Sequence, residues 1–422
     1  MMRILVATDA FPPVCGGSGW STYELARGLR DRGHDVCIVQ AHAGAPAEHG
    51  RSYDGFRVRA IEQSAPAAPF VRNYFKNERL WARADRELRA IAGDMRADLL
   101  HAQHVLTSPA AVAAGAALGV PVVCTVRDYW PVCYWGTLIH DPASSALCPA
   151  CSASMMTRCV RPRAGAAWPL ALPFIPYMRG NLARKQRALA GAGAVVAVSS
   201  AIARDLRERS RWLASSRIEV IPNPVDVAGI RREAQAAAPM IQGPYAVFVG
   251  KLEQNKGTGF LLPAVERAGL AWPLVVVGDG RQRGALEADA RRRNRDARFL
   301  GWLDRPRVMA WLAHASLLVF PSYGPESLSR VLLEAAAIGV PIAAMKTGGT
   351  GDIIEHGVSG MLSSTADELG DHVARLASDH ELAASLARRA RQHVDAHFDT
   401  ARVVPRYEAL YRELIDGRRT HA

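Results

Sequence analysis

Twice along this chain a short apolar strand, a glycine- or proline-rich turn and an amphipathic helix follow one another, and this repeated alternation restricts the fold more than any other feature. Residues 3–8 (RILVAT) read as a buried strand, residues 9–19 as a loop rich in Pro and Gly, and residues 21–32 as a helix closed by Gly33. A second strand follows at residues 35–39. Parallel strands need a crossover, and the helix supplies it, so this is a β-α-β unit. A helix near residues 81–93 and strands at 97–101, 120–126, 194–198 and 217–221 continue the scheme. It restarts with strands at 245–249, 273–277, 297–300, 317–320 and 340–345, and the chain turns helical after Asp367. The expected class is α/β, with doubly wound parallel sheets. Such sheets bind ligands beyond the carboxyl ends of their strands.

A length of 422 residues suggests two or three domains at about 150 residues each, and the 49% hydrophobic content suffices for two cores. The expected division is a first domain over residues 1–226 with a cysteine-containing loop at 128–165, an Ala-rich hinge at 227–243, a second domain at 244–395 and a terminal segment at 396–422. The apolar run before Asp9 is too short for a secretory signal, so a cytoplasmic location is expected. Residues 105–126 carry no charge, but Gly119-Val120-Pro121 splits them into a helix and a strand rather than a membrane span. The formal net charge of +12 implies an anionic partner. No nucleic-acid motif is present, which leaves nucleotide diphosphates and an anionic membrane surface.

Residues 321–335 (PSYGPESLSRVLLEA) place Glu326 and Glu334 eight positions apart where a strand hands over to a helix. A helix beginning near Ser327 and ending at Gly339 would set them about 12 Å apart and roughly 80° around its axis. Carboxylates that break a glycosidic bond together stand about 5 to 9.5 Å apart, so this pair suits hydroxyl groups at the two ends of a long ligand. The N–H groups of Ser327, Leu328 and Ser329 at the helix start would hold a phosphate between them. The plain alternative for Glu334 is a solvated helix face. Leu332, Leu333, Ala335 and Ala336 around it favour burial and a partner.

The Glu-x7-Glu run resembles the signature of the retaining glycosyltransferases of family 4. Further landmarks resemble that family in the same order: Gly16-Gly17, Ile221-Pro222-Asn223-Pro224-Val225-Asp226, Val249-Gly250-Lys251-Leu252 with Lys256-Gly257, Gly278-Asp279-Gly280, and Gly348-Gly349-Thr350. The resemblance implies the GT-B fold, two facing Rossmann-like domains with an interdomain cleft, and a terminal helix that returns to the first domain. It implies transfer of a sugar from a nucleotide diphosphate to an acceptor hydroxyl with retention of configuration, in cell-surface polysaccharide, lipid-linked glycan or related glycoconjugate synthesis. Glu326, Lys256, Lys251 and His104 are then the catalytic candidates, and Gly16, Gly17, Gly250, Ser327, Leu328 and Glu334 the donor-binding ones. No catalytic cofactor is implied. The partners are a nucleotide-sugar donor and a glycan, lipid-linked or small-molecule acceptor. The family more often carries Arg at position 251, and Lys251 keeps the charge without the bidentate fork. His104 is chosen over His101, which shares strand parity with Leu99. An epimerase or phosphorylase on the same fold, or an inactive nucleotide-sugar-binding subunit, is the alternative.

Arg127-Asp128-Tyr129-Trp130-Pro131-Val132-Cys133 resembles a His-Asp-Tyr-Trp-x-x-Cys run of a bacterial subset of the family, with Arg127 in the histidine's place. Cys133, Cys148, Cys151 and Cys159 are either a structural zinc site or four free thiols. The odd total of seven cysteines argues against a disulfide framework. Residues 70–76 and 168–179 combine aromatic and basic side chains. They suit either a peripheral contact with the inner face of a membrane or packing under a neighbouring loop.

Overall fold

The computed structural model describes residues 1–13, 15–43, 51–66, 69–141 and 146–419. The chain forms two compact units. One comprises Met1–Gly136, Cys148–Pro224 and Thr400–Ala422, the other Thr137–Leu147 and Val225–Asp399.

The first unit is built on β1 (Arg3–Thr8), β2 (Asp35–Ala43), β3 (Arg51–Tyr53), β4 (Phe56–Gln63), β5 (Leu99–Ala102), β6 (Val122–Val126), β7 (Ala194–Ala197) and β8 (Ile218–Val220). Their order across the sheet is β3-β4-β2-β1-β5-β6-β7-β8. Every pairing is parallel except the β3–β4 hairpin at the edge. The central strands are buried on both faces, which is why they read as unbroken apolar runs. Residues 105–126 resolve into the helix Ser108–Leu118, closed by Gly119 in the left-handed region, and β6. Among the described residues no helix is long and apolar enough to cross a membrane.

The C-terminal helix Thr400–Arg419 packs into this same unit. Val403, Val404, Tyr407 and Tyr411 join Ile4, Val6 and Leu29 in its core. Gly28 permits the approach, because a Cβ there would lie 2.6 Å from Val404 Cγ2. Glu408 on the helix bonds Arg32 Nε at 2.6 Å.

The second unit carries β9 (Ala246–Val249), β10 (Leu274–Val277), β11 (Ala297–Gly301), β12 (Leu317–Phe320), β13 (Ile342–Met345) and β14 (Met361–Ser363), in the order β11-β10-β9-β12-β13-β14 and parallel throughout. Residues 227–243, expected as a hinge, instead open with the helix Val227–Ala236. The Asp226 carboxylate caps it by accepting the Gly229 N–H at 2.8 Å, and its alanines favour helix. Arg231 ties it to the carbonyl of Ala337 and to Asp395, so the segment belongs to the second unit.

Strand order reverses beside the first strand of each sheet. β1 lies between β2 and β5, and β9 between β10 and β12. The loops leaving β1 and β5, and those leaving β9 and β12, therefore border the crevices where ligands of open α/β sheets bind.

Candidate functional site

In the second unit, the turn after β9 and the loop after β12 hold one another. The Asn255 carbonyl accepts the Gly324 N–H at 2.8 Å and the Ser322 hydroxyl at 3.2 Å. Gly257 has φ +69°, and a Cβ on it would lie 1.8 Å from the Pro321 oxygen, so only glycine fits. This brings Lys256 Nζ to 2.5 Å from Glu326 Oε1, an oxygen that also accepts the Ser322 hydroxyl at 2.5 Å. A third loop completes the cradle. The Gly349 N–H donates to the Glu326 carbonyl at 2.7 Å, and a Cβ on Gly348 would stand 2.0 Å from that oxygen. Gly250 lies so near the 278–280 turn that a Cβ on Gly278 would meet its carbonyl oxygen at 1.9 Å. Lys251, in contrast, is exposed, and the structure does not join it to Lys256 in this cluster.

The helix after this loop runs over Arg330–Ile338, not from Ser327. Ser329 has extended backbone (ψ 119°) and ends the loop. Glu326 therefore lies outside the helix, and the spacing of about 12 Å and 80° expected for a continuous helix does not apply. The cause is tertiary: the backbone of Glu326 is engaged by Gly349 and its carboxylate by Lys256 and Ser322. Ser327 is half-buried and Leu328 buried in the loop, so the orphan N–H groups of the helix start belong to residues 330 onward.

Glu334 does lie on that helix, and it is buried. Its Oε1 accepts Arg305 Nη1 at 2.7 Å and Arg330 Nε at 2.8 Å. The two guanidinium groups thus share one oxygen of a buried carboxylate, and its second oxygen adds further acceptor capacity. Sequence reasoning did not single out either arginine. Arg330 carried a signal, one helical turn before Glu334, whereas Arg305 comes from a separate helix, Arg305–Ala313.

In the first unit, Gly16 precedes the helix Gly17–Asp31 and both glycines are exposed. Arg127 pins that first turn, donating from Nη1 to the Ser18 carbonyl at 3.0 Å and to Thr22 Oγ1 at 2.7 Å. The residue standing where the family subset has histidine thus shapes the glycine loop.

His101 and His104 part company as side-chain parity suggests. His101 is buried, with Nε2 2.7 Å from Thr125 Oγ1 and Nδ1 2.5 Å from the Tyr411 hydroxyl, and burial drives its pKa well down. It is a neutral core residue. His104 lines a cavity of about 520 Å³ beyond the ends of β1 and β5. Its Nε2 lies 2.8 Å from Asp128 Oδ2 and its Nδ1 3.8 Å from Asp9 Oδ2. Burial would lower its pKa, but the charges of Asp9 and Asp128 outweigh burial and raise it to about 9. The Leu106 N–H reaches Nδ1 at 3.1 Å, a contact that only a neutral ring accepts. One amide against two carboxylates leaves the imidazolium favoured near pH 7. Asp9, Trp135 and Lys185 were not singled out from sequence, and Asp128 and Lys76 entered only as members of the 127–133 and 70–76 runs; Lys76, Trp135 and Lys185 line the same cavity.

Cys133, Cys148, Cys151 and Cys159 lie near enough to one another for their charges to interact. Among the described residues no group of three His, Cys, Asp or Glu side chains is placed to hold an ion. Cys148 Sγ instead donates to the Ala150 carbonyl at 3.1 Å, and burial pushes the Cys151 thiol up to about 11 and that of Cys159 to about 12. All are free thiols. The aromatic and basic segments are mixed. Val71, Tyr74, Leu170 and Phe174 are exposed, Phe75 and Trp168 are half-buried, and Ile175 and Met178 are buried. The side chain of Phe70 lies outside the described set. Leu170 and Phe174 border an apolar groove of about 420 Å³ with Val160, Arg163 and Trp135.

Comparison with known proteins assigns both units. The profile described as Glycosyltransferase Family 4 matches residues 15–228, and that of Glycosyl transferases group 1 matches residues 243–379. A glycogen synthase of Mycobacterium tuberculosis (strain ATCC 25618 / H37Rv) is 26% identical over 446 residues, covering 99% of this chain and 96% of that protein. A 2-deoxystreptamine N-acetyl-D-glucosaminyltransferase of Niallia circulans is 33% identical over 172 residues, 39% of this chain and 44% of that one. Among solved structures, sucrose-phosphate synthase from Thermosynechococcus elongatus superposes with a TM-score of 0.69 at 18% identity, covering 98% of this chain and all of its own. HepE of Anabaena, in complex with UDP and glucose, gives 0.64 at 18% identity, over 97% and 99%. The fold is GT-B.

Proposed function

The chain belongs to glycosyltransferase family 4, and on that premise we propose that its second unit holds a nucleotide-sugar donor while its first receives the acceptor. The bond between the donor's anomeric carbon and the diphosphate breaks, with the electron pair leaving on the nucleoside diphosphate. The acceptor hydroxyl forms the new bond on the same face, and its proton passes to the departing diphosphate, directly or through water. Charge grows on the diphosphate during this step, and Lys256 is the ammonium assigned to stabilise it, with the N–H groups at the start of Arg330–Ile338 as a second source. Glu326 is assigned to the hydroxyls of the donor sugar, and Glu334, fixed by hydrogen bonds from Arg305 and Arg330, to the ribose. Lys251, Gly250, Ser327 and Leu328 are assigned to the edges of the donor site. Gly16, Gly17 and His104 are the corresponding groups of the first unit.

The observation that carries this reading is the Lys256–Glu326 pair at 2.5 Å, at the switch point of the second sheet. An ammonium and a carboxylate fixed together by three glycine-bearing loops match the two ends of a sugar diphosphate. The test is release of nucleoside diphosphate from a panel of nucleotide sugars, with the anomeric configuration of the product read by NMR. Inverted product overturns retention, and no consumption of any nucleotide sugar overturns the donor assignment.

A cytoplasmic location with peripheral attachment to the inner face of a membrane is part of the same proposal. It is supported by exposed Leu170 and Phe174 beside an apolar groove with basic Arg163 at its border.

A further inference from the structure

The cavity beside His104 holds more positive charge than the transfer reaction itself calls for. Lys185, on the helix Ile175–Ala190, is 2% exposed, and its Nζ stands 4.8 Å from the centroid of Trp130 and 5.9 Å from that of Tyr134. Among the described residues it has neither an ion-pair nor a hydrogen-bond partner. The nearest carboxylates are engaged elsewhere. Asp128 bonds His104 and the Trp130 N–H, while Glu78 accepts from Tyr177 at 2.8 Å, Asn181 at 3.0 Å and Arg184. Burial lowers the pKa of Lys185 to about 8, with Asp128, Glu78 and Cys133 opposing. Most of its population is therefore still charged at pH 7.

Lys76 lines the same cavity from a π-helical turn at Phe75–Arg79, and its charged neighbour is Arg72, not a carboxylate. With His104 favoured as a cation, three positive groups face Asp9 and Asp128. One positive charge is left over. A desolvated ammonium that lacks a counter-ion is costly, and an incoming anion removes that cost. The walls show what carries the anion. Trp130, Tyr134 and Trp135 line the cavity with aromatic surface of the kind found around sugars, and Asn73 and Asn77 add polar amides, whose nitrogens also donate to Tyr134 Oη at 3.0 Å and to the Asn73 carbonyl at 2.6 Å.

We propose that the acceptor is a phosphorylated sugar or polyol whose phosphate is held between Lys185 and Lys76 in this cavity. The inference rests on the glycosyltransferase reading and names the acceptor class of that enzyme. A soluble sugar phosphate and a sugar carried on a lipid phosphate present the same group to the lysines.

The full chain, its donor site saturated with nucleoside diphosphate, is titrated with inorganic phosphate and followed by 31P NMR line broadening. One saturable site is expected, weakened about tenfold or more in Lys185→Met, which keeps the stem against Trp130 and Tyr134 while removing the charge. Lys76→Met, at the half-buried turn, should weaken it as well and serves if Lys185→Met fails to fold. In turnover, a phosphorylated acceptor should exceed its unphosphorylated counterpart by at least about tenfold in kcat/KM, and Lys185→Met should erase that preference while the donor KM stays within about twofold. Parallel arms with a soluble sugar phosphate and a detergent-solubilised lipid-phosphate-linked sugar identify the source. Phosphate binding that is absent, or unchanged in both variants, overturns the proposal, as does equal use of neutral and phosphorylated acceptors. Slow hydrolysis of the donor without acceptor separates the two claims. If the donor is consumed and phosphate is not bound, only the acceptor class is wrong.

Discussion

His104 Nε2 stands 2.8 Å from Asp128 Oδ2, and the Trp130 N–H donates to the other oxygen of that carboxylate at 2.8 Å. The histidine chosen from a strand end is thus oriented by the Asp of the neighbouring Arg-Asp-Tyr-Trp run. Two sequence landmarks meet in one contact.

A pH dependence follows from it. Burial opposes the charge on His104, but Asp9 and Asp128 raise its pKa to about 9, above the roughly 6.5 of an unfolded histidine. A raised folded pKa adds stability that is fully present below about pH 6.5 and is lost as pH climbs through about 9. His104→Gln removes this term. Melting temperature followed from pH 7 to 10 should fall more steeply for the native chain than for the variant. Parallel curves would show that His104 is neutral in the folded protein.

Lys256→Ala should lower kcat about 100-fold or more, because the diphosphate charge it meets develops during bond breaking. It also leaves Glu326 buried with Ser322 as its remaining partner on Oε1, so some loss of stability is expected as well. Glu326→Gln keeps the size and hydrogen-bonding capacity of the side chain and should spare stability more than turnover. Rates at saturating donor within threefold of the native chain would remove Lys256 from the mechanism.

Glu334→Gln should weaken donor binding more than it slows turnover, since bonds to ribose are the same in ground and transition states. It also leaves Arg305 and Arg330, whose side chains are 14% and 10% exposed, without their shared carboxylate oxygen. Breaking one partner of a buried ion pair costs about 3 to 5 kcal/mol. The variant should therefore melt lower without ligand and gain less from added nucleoside diphosphate. An unchanged donor KM would end the ribose assignment.

What the sequence disclosed depended on whether the cause was local. Leu317–Phe320 and Ile342–Met345 are buried on both faces and read as plain apolar runs. The strand Phe56–Gln63, between β3 and β2, alternates buried Phe56 and Val58 with exposed Arg57 and Arg59, and the apolar runs sought in the sequence do not mark it. The helix start was misplaced by three residues because Glu326 is held by Gly349, Lys256 and Ser322, contacts from distant loops that no local rule contains. Lys185 was invisible for a similar reason. A lysine on a mixed helix reads as solvated until Trp130 and Tyr134 are known to cover it.

Gly28→Val should destabilise the first unit. The smallest side chain there already meets Val404 and Thr400 at 2.6 and 3.0 Å, so the C-terminal helix must move and give up part of the burial of Tyr407 and Tyr411. Overpacking of this kind costs about 1 to 3 kcal/mol. The expected result is a lower melting temperature with donor affinity retained in the second unit. An unaltered melting temperature would mean that the helix does not hold the first unit together.

The peripheral-membrane proposal makes the most exacting demand on a single surface. Leu170 is 77% exposed and Phe174 37%, and both border the apolar groove shared with Val160 and Trp135. Water-exposed leucine and phenylalanine beside basic residues gain from entering a headgroup layer, by burial of apolar area and by about 1 kcal/mol for each basic residue near anionic lipid. Arg161 and Arg163, on the helix Ala153–Ala164, supply that charge. Flotation with vesicles should thus show binding to anionic but not neutral lipid, weakened by high salt. The double variant Leu170→Ser and Phe174→Ser should lose binding while keeping donor hydrolysis, since neither residue belongs to the second unit, to which the donor is assigned in the proposal. Retention of the native chain in the soluble fraction with anionic vesicles at low salt would defeat the membrane reading. The same groove would then be better explained as the seat of an apolar part of the acceptor, and the double variant would raise the acceptor KM instead.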